Sequence, residues 1–240
     1  SKHEHKCVLE TLNHLEQIGA EVIYVEHDSF GVLDLESLEK ELMEEVSFVT
    51  IMHVNNETGE INDINALHDI CRRHQVPFVT DITQGLGKFD YSDLNWDVTF
   101  ASGHKIGSVK GIGFIHTSSD LLKTPLFYGG QQQKGMRPGT INLAAIVSLS
   151  VALREYSYSW LECKELFQTF KTVYGIKNVK VLGVNRVPSI YALEFESEDS
   201  LNGLIDQFEY SRGSACSSGV NQPSHVYTEL TNKVVIRISF

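Results

Sequence analysis

Residues 97–105 read Asp-Val-Thr-Phe-Ala-Ser-Gly-His-Lys. The apolar run at 98–101 predicts a short buried strand, and a polar corner, Ser-Gly-His-Lys at 102–105, follows it. Similar apolar runs, typical of buried strands, occupy residues 47–54, 76–80 and 111–116. Helical patterns such as 64–75 separate these runs. Strands that alternate with helices predict an α/β fold, in which a mostly parallel sheet is sandwiched by helices.

The order of predicted helices and strands differs between the two ends of the chain. At the start, we expect a helix at 4–17, a strand at 21–26 and a helix capped by Asp34. A long helical stretch at 142–174 precedes strand patterns at 179–182, 190–195 and 234–238 and a helix at 200–208. This change in the order of strands and helices predicts a larger domain at 1–158 and a smaller α+β domain at 159–240.

The acidic composition excludes a polyanion as the main partner. The formal net charge is -11, whereas nucleic-acid-binding surfaces are basic, so we expect no direct nucleic-acid binding. No apolar run has membrane-spanning length and no signal peptide opens the sequence. The four cysteines lie far apart, which favours free thiols in a reducing compartment. We therefore expect no membrane association and a cytoplasmic protein, or an organellar-matrix protein if the source is a eukaryote.

The polar corner at 102–105 ends in a lysine that could carry chemistry. Desolvation at the end of a buried strand would lower the pKa of Lys105, and a neutral amine can form a Schiff base with an aldehyde cofactor. Because most lysines are solvated surface charges, an exposed Lys105 is the alternative. Polar clusters at 55–57 and 81–84 also follow strands. Ligands of parallel sheets bind beyond such strand ends.

Three further side chains suit a flat aldehyde cofactor. A buried Asp81 carboxylate can pair with a protonated pyridine nitrogen, although a helix-capping or turn aspartate is the alternative. Gln84 can reach a ring hydroxyl or be a solvated turn residue. His5 can lie over the ring or be a surface imidazole. With His3 and His14 it forms no complete ligand set, so no metal is predicted.

Cys216 lies in a loop of small polar residues, 211–219, that has no apolar face to bury. A thiol in such a loop indicates a reactive role, and Arg212 could favour its thiolate. The other cysteines, Cys7, Cys71 and Cys163, lie in helical patterns and are interpreted as packing residues.

Six short motifs occur in one order and spacing. They are His5-Lys6, Asn55-Asn56-Glu57-x-Gly59, Asp81-x-Thr83-Gln84, Ser102-Gly103-His104-Lys105, Arg137-x-Gly139-Thr140 and Gly213-Ser214-Ala215-Cys216. In these motifs the sequence resembles cysteine desulfurases of the NifS/IscS type, which are pyridoxal-phosphate enzymes of the class V aminotransferase family. The resemblance covers essentially all 240 residues. It implies a fold type I transferase large domain, and an internal piece of a longer enzyme that continues at both ends.

The resemblance also implies roles around pyridoxal 5'-phosphate. Lys105 would hold the cofactor through a Schiff base and move the α-proton of the substrate. Asp81 would pair with the ring nitrogen and Gln84 with the ring hydroxyl. His5 would stack on the ring and assist proton transfers.

Further residues match the phosphate and substrate groups of that family. Ser102 and His104 match phosphate ligands, and Thr140 matches a ligand donated by the neighbouring subunit, which implies a homodimer. Asn56 and Arg237 match groups that bind the substrate carboxylate, a role suited to the bidentate fork of arginine.

The implied reaction is conversion of L-cysteine to L-alanine. Cys216 would attack the substrate sulfur and carry it as a persulfide to an acceptor protein for iron-sulfur clusters or tRNA thiolation. The alternatives are a selenocysteine lyase and a catalytically silent homologue that acts as a binding or scaffold subunit. Three features depart from the family: the turn at 106–110, the residues Gln133 and Lys134, and the lack of the glycine-threonine phosphate turn, which lies upstream in the family.

Overall fold

The computed structural model describes residues 1–92, 96–117, 120–177, 179–201, 204, 207–212 and 224–240. These residues form two compact units. The sheet unit contains Glu45–His53 and Ile64–Tyr158, and the second unit contains Ser1–Glu44, Val54–Asp63 and Ser159–Phe240. No helix in these ranges is both long and apolar enough to cross a membrane. The compact units interleave along the chain, and the predicted domains 1–158 and 159–240 stay a prediction.

The sheet unit is built on four strands in the order β1-β2-β3-β4. The strands are β1 (Val49–Thr50), β2 (Phe78–Asp81), β3 (Val98–Ser102) and β4 (Gly113–Thr117). β1, β2 and β3 are parallel, and β4 runs antiparallel to β3. Helices flank this mixed, mostly parallel sheet, so the predicted α/β class is confirmed.

Two helices of the sheet unit are α3 (Ile64–Arg73) and α4 (Leu143–Glu155). α3 buries one apolar stripe at 3.6-residue spacing, made of Ile64, Leu67, Ile70 and Cys71. α4 packs through Leu149 and Ala152 against the core cluster that contains Ile82 and Ile106. A Cβ added at Gly103 would lie 2.7 Å from a Leu149 methyl, so close packing by α4 requires glycine at this corner.

The second unit contains a separate antiparallel sheet, β5 (Lys180–Leu182), β6 (Ile190–Phe195) and β7 (Val234–Ser239), with β6 in the middle. Its helices are α1 (Lys6–Gln17), α2 (Leu35–Glu41), α5 (Trp160–Val173) and α6 (His225–Leu230). Asp34 caps α2 as predicted, because its carboxylate accepts from the backbone N–H groups of Glu36 and Ser37.

Three predicted elements differ from the structure. Residues 21–26 form no strand despite their β-branched content, because a strand needs a hydrogen-bonded neighbour and no described strand pairs with them. The predicted helix at 142–174 is two helices, since Tyr156 is extended and the Ser159 hydroxyl caps α5. The predicted helix at 200–208 lies partly outside the described residues, and at its start the described residues form a 3₁₀ turn, Glu198–Leu201.

Candidate functional site

Asp81 and Ser102 lie at the carboxyl ends of the neighbouring strands β2 and β3. Thr83 joins them: its backbone N–H donates to Asp81 Oδ1 at 2.8 Å, and its hydroxyl accepts from the Ser102 backbone N–H at 3.2 Å. The backbone N–H of His53 donates to the Asp81 carbonyl oxygen at 2.9 Å. Asp81 is buried, with 7% of its surface exposed. The sheet therefore holds a buried carboxylate beside the polar corner.

His104 and Lys105 occupy a 3₁₀ turn, Gly103–Ile106, that directly follows β3. Gly107 ends the turn in the left-handed region, with φ of 88°. The turn buries Gly103 and Ile106 and leaves the side chains of His104 and Lys105 exposed. A tight turn thus separates Lys105 from the buried strand, and the predicted desolvation of its amine stays a prediction.

Gln84 and Thr140 also belong to the sheet unit. Gln84 is half-buried in the turn after β2, where its backbone oxygen accepts from Lys88 Nζ at 2.6 Å. Thr140 is exposed in the loop between a 3₁₀ turn, Gln132–Gly135, and α4. Their predicted contacts with the cofactor ring and phosphate stay predictions.

The sequence did not predict a pair of side chains near Asp81, those of His53 and Tyr91. The ring nitrogen Nδ1 of His53 lies 2.5 Å from the Tyr91 hydroxyl. Burial raises the pKa of Tyr91, and the charge of Asp81 raises it further, so the phenol keeps its proton. A Cβ at Gly85 would overlap the Tyr91 hydroxyl. His53 and Tyr91 are 38 positions apart, so no local pattern links them in the sequence. The one local sign of close packing at this place is Gly85, the glycine that follows Gln84.

Asn56 and Arg237 meet in the second unit. Arg237 Nη1 donates to the backbone oxygen of Asn56 at 3.0 Å, across 181 residues of sequence. The neighbouring backbone oxygen, that of Glu57, accepts from the Tyr227 hydroxyl at 3.2 Å. The Asn55 side-chain oxygen accepts from the backbone N–H groups of residues 57 and 58. Both predicted carboxylate-binding residues therefore lie in hydrogen-bonded segments, Asn56 in the loop after Asn55 and Arg237 in β7.

His5 caps α1: its Nδ1 accepts from the Cys7 backbone N–H at 3.2 Å and lies 3.0 Å from Cys7 Sγ. Cys7 is exposed, so its interpretation as a packing residue is wrong. Cys71 and Cys163 are buried as predicted, and burial raises the pKa of Cys71 to about 12. The ring-stacking role of His5 stays a prediction.

Cys216 lies outside the described residues. Before that segment, Arg212 makes two hydrogen bonds to the Glu198 carboxylate, at 2.5 and 2.7 Å, and the hydrogen-bonded carboxylate raises the pKa of Arg212. Ser211 pairs with Arg237 of β7 through both backbone groups. Arg212 is therefore paired with Glu198, and its predicted effect on the Cys216 thiolate stays a prediction.

The family model for class V aminotransferases matches residues 1–240, and the chain belongs to this family. Among curated relatives, the cysteine desulfurase IscS of Rickettsia felis (strain ATCC VR-1525 / URRWXCal2) is 37% identical over 242 residues, which cover 93% of this chain and 58% of that protein. The IscS of Buchnera aphidicola subsp. Acyrthosiphon pisum (strain 5A) is 35% identical over 96% of this chain and 60% of its own length. The chain thus spans less than two thirds of these relatives.

Two solved structures share the fold. "SspA in complex with cysteine" superposes with a TM-score of 0.88 and 31% identity, covering 100% of this chain and 72% of that one. A NifS-like protein from Rickettsia africae ESF-5 gives a TM-score of 0.80 and 28% identity, with 100% and 68% covered. These neighbours and relatives confirm the resemblance seen in the six motifs.

Enzymes of this family depend on pyridoxal phosphate, and the residues at the sheet edge fit that cofactor. Asp81 supplies a buried carboxylate for a pyridinium nitrogen, Ser102 and His104 supply donors for a phosphate, and Lys105 supplies an amine. All four lie at the ends of β2 and β3 or in the turn that follows. These residue types therefore suit a pyridoxal ring and its aldehyde.

Proposed function

We propose that the protein is a cysteine desulfurase, which converts L-cysteine to L-alanine and passes the sulfur to one of its own cysteines. The observation that carries this proposal is the buried Asp81, fixed through Thr83 beside the corner that ends in Lys105. Family membership and the cysteine desulfurases among the relatives support it.

Pyridoxal phosphate, when bound, supplies an electron sink for the substrate carbon atoms. Asp81 keeps the ring nitrogen protonated, because a buried carboxylate is best satisfied by a positively charged donor. Gln84 would bind the ring hydroxyl, and Ser102 and His104 would bind the phosphate. Lys105 would hold the cofactor through its aldehyde, and the free lysine amine would accept the proton from the substrate Cα.

Substrate recognition belongs to the second unit. Arg237 presents a planar fork of N–H donors that matches a carboxylate, and the Asn56 amide adds a donor beside it. His5 stacks on the ring and moves protons at the substrate. Thr140 reaches the phosphate of a second subunit, so the working form is a homodimer.

Cys216 is the sulfur carrier in this proposal. Its thiolate attacks the sulfur of the bound substrate, so a sulfur-sulfur bond forms while the Cβ–Sγ bond of the substrate breaks. The electron pair of that bond stays on Cβ, which takes up a proton and becomes the methyl group of alanine. Cys216 is left as a persulfide that a second protein accepts, for iron-sulfur clusters or tRNA thiolation. This exchange takes place in the cytoplasm or an organellar matrix.

The test uses the full-length protein loaded with pyridoxal phosphate. L-Cysteine should yield alanine and sulfide in equal amounts when a reducing thiol is present. Cys216→Ser should abolish both products, whereas the matched control Cys163→Ala, in α5, should leave them unchanged. Alanine formation that survives Cys216→Ser would remove the persulfide role. Turnover of L-selenocysteine without turnover of L-cysteine would replace the proposal with selenocysteine lyase activity.

A further inference from the structure

Glu60 is a buried carboxylate in the loop that carries Asn56, with 3% of its surface exposed. Its Oε2 accepts from the Val184 backbone N–H at 2.5 Å, and both of its oxygens lie 3.2 Å from the Asn185 backbone nitrogen. Val184 and Asn185 belong to the turn between β5 and β6. The carboxylate thus satisfies the N–H groups of a segment about half the chain away, and charged acceptors make the stronger hydrogen bonds.

Backbone contacts surround this carboxylate on both sides. The Ile61 N–H donates to the Asn185 carbonyl oxygen at 2.7 Å, and the Val187 N–H donates to the Gly59 carbonyl oxygen at 2.9 Å. A Cβ at Gly59 would lie 2.9 Å from the carbonyl oxygen of Ile190, so loop and turn approach as closely as glycine permits. The loop at 55–61 is therefore clamped to the turn at 183–187.

The clamped turn is also connected to Asn56 by a second route, through β6 and Arg237 of β7. The turn runs directly into β6, in which Ala192 pairs with Arg237 of β7. Arg237 Nη1 then returns to the backbone oxygen of Asn56 at 3.0 Å. Two connections thus fix Asn56 against Arg237: one direct hydrogen bond, and one path through Glu60, the turn and the sheet. Without the Glu60 carboxylate, the loop would keep its backbone hydrogen bonds to the turn and the direct hydrogen bond from Arg237, but it would lose the charged acceptor that binds the Val184 and Asn185 N–H groups.

We propose that Glu60 is a positioning residue for substrate recognition, which sets the spacing between Asn56 and the guanidinium of Arg237 and so fits them to the carboxylate of a small α-amino acid. This inference rests on the proposed function. Glu60 touches neither substrate nor cofactor in it and acts through the turn at 183–187. Because Asn56 and Arg237 bind the substrate carboxylate rather than the reacting atoms, a loosened clamp should weaken substrate binding more than it slows the chemical step.

The test compares three variants of the full-length, cofactor-loaded enzyme. Glu60→Ala removes both acceptors and should raise KM for L-cysteine by about tenfold or more, with kcat changed by less than about threefold. The dissociation constant of the product L-alanine should rise in parallel. Glu60→Gln keeps one acceptor oxygen and should restore part of the binding. Glu194→Ala is the matched control, because this buried carboxylate of β6 contacts Lys180 and Lys233 instead.

The outcomes separate the inference from the function on which it rests. A KM within about twofold of wild type for Glu60→Ala would overturn the positioning role. So would a loss of melting temperature and activity that matches Glu194→Ala without a change in KM. Absence of alanine formation by the wild-type enzyme would instead overturn the proposed function, and the substrate role of Glu60 with it.

Discussion

Replacement of Gly85 by alanine tests the geometry behind Asp81. An added Cβ would overlap the Tyr91 hydroxyl and lie 2.9 Å from His53 Nδ1 and 3.2 Å from Tyr91 Cζ. Gly85 does not have a positive φ, so the backbone itself accepts alanine. The effect of Gly85→Ala should therefore come mainly from displacing the phenol, and to a smaller extent the His53 ring, which breaks their 2.5 Å contact.

The expected cost follows from opposing effects. Overpacking a buried site costs about 1–3 kcal/mol, and a buried polar atom left without its hydrogen bond costs about 1–3 kcal/mol more. The lower entropy of the unfolded chain returns only about 0.4–1 kcal/mol when glycine becomes alanine at a compatible position. The destabilisation by the clash therefore exceeds the entropic stabilisation, and we expect Gly85→Ala to lower the free energy of unfolding by about 2–4 kcal/mol.

Urea unfolding of the full-length protein measures this cost, and a double-mutant cycle identifies its source. Tyr91→Phe removes the oxygen that the new Cβ would strike, so Gly85→Ala should cost about 1–2 kcal/mol less in that background. If Gly85→Ala is neutral, or if the two changes add without coupling, the phenol does not occupy the space above Gly85 and the reasoning fails.

Two other predictions concern the second unit. His3 and His27 stack with ring centroids 4.0 Å apart, and burial lowers the pKa of His3 to about 3 and that of His27 to about 4, from 6.5. Because the unfolded chain takes up protons first, their contribution to stability should be complete above pH 6.5 and be lost as pH falls towards these values. Chemical denaturation at several pH values should show a shallower acid loss for His27→Gln; an unchanged slope would contradict this. Arg237→Lys keeps the charge but loses the bidentate fork, so KM for L-cysteine should rise about tenfold in steady-state assays. An unchanged KM would place the substrate carboxylate elsewhere.

The sequence predicted the sheet unit well because its strands are continuous apolar runs that end in polar clusters. The inference that the clusters after β2 and β3 share one edge is seen in the structure, where Thr83 bonds to both Asp81 and Ser102. Sequence patterns gave wrong elements where the structure depends on a pairing strand or on a capping side chain. Residues 21–26 have strand composition but no described pairing partner, and the Ser159 cap divides a stretch that reads as one helix.

The site was predicted by residue type rather than by environment. Periodicity places Lys105 after a buried strand, but it does not show that a tight turn exposes the side chain. Contacts between distant segments leave no periodic trace. Glu60 and Asn185 are 125 residues apart, and nothing near Glu60 in the sequence distinguishes a buried carboxylate from a solvated one.

Covalent attachment of the cofactor to Lys105 is the claim on which the proposed function depends most. The full-length protein, loaded with pyridoxal phosphate, is reduced with borohydride, digested and analysed by peptide mass spectrometry. We expect a single pyridoxyl label on Lys105, and none on this peptide in Lys105→Ala. A label on Lys110, which is exposed five residues further on, or no label on any lysine, would contradict it.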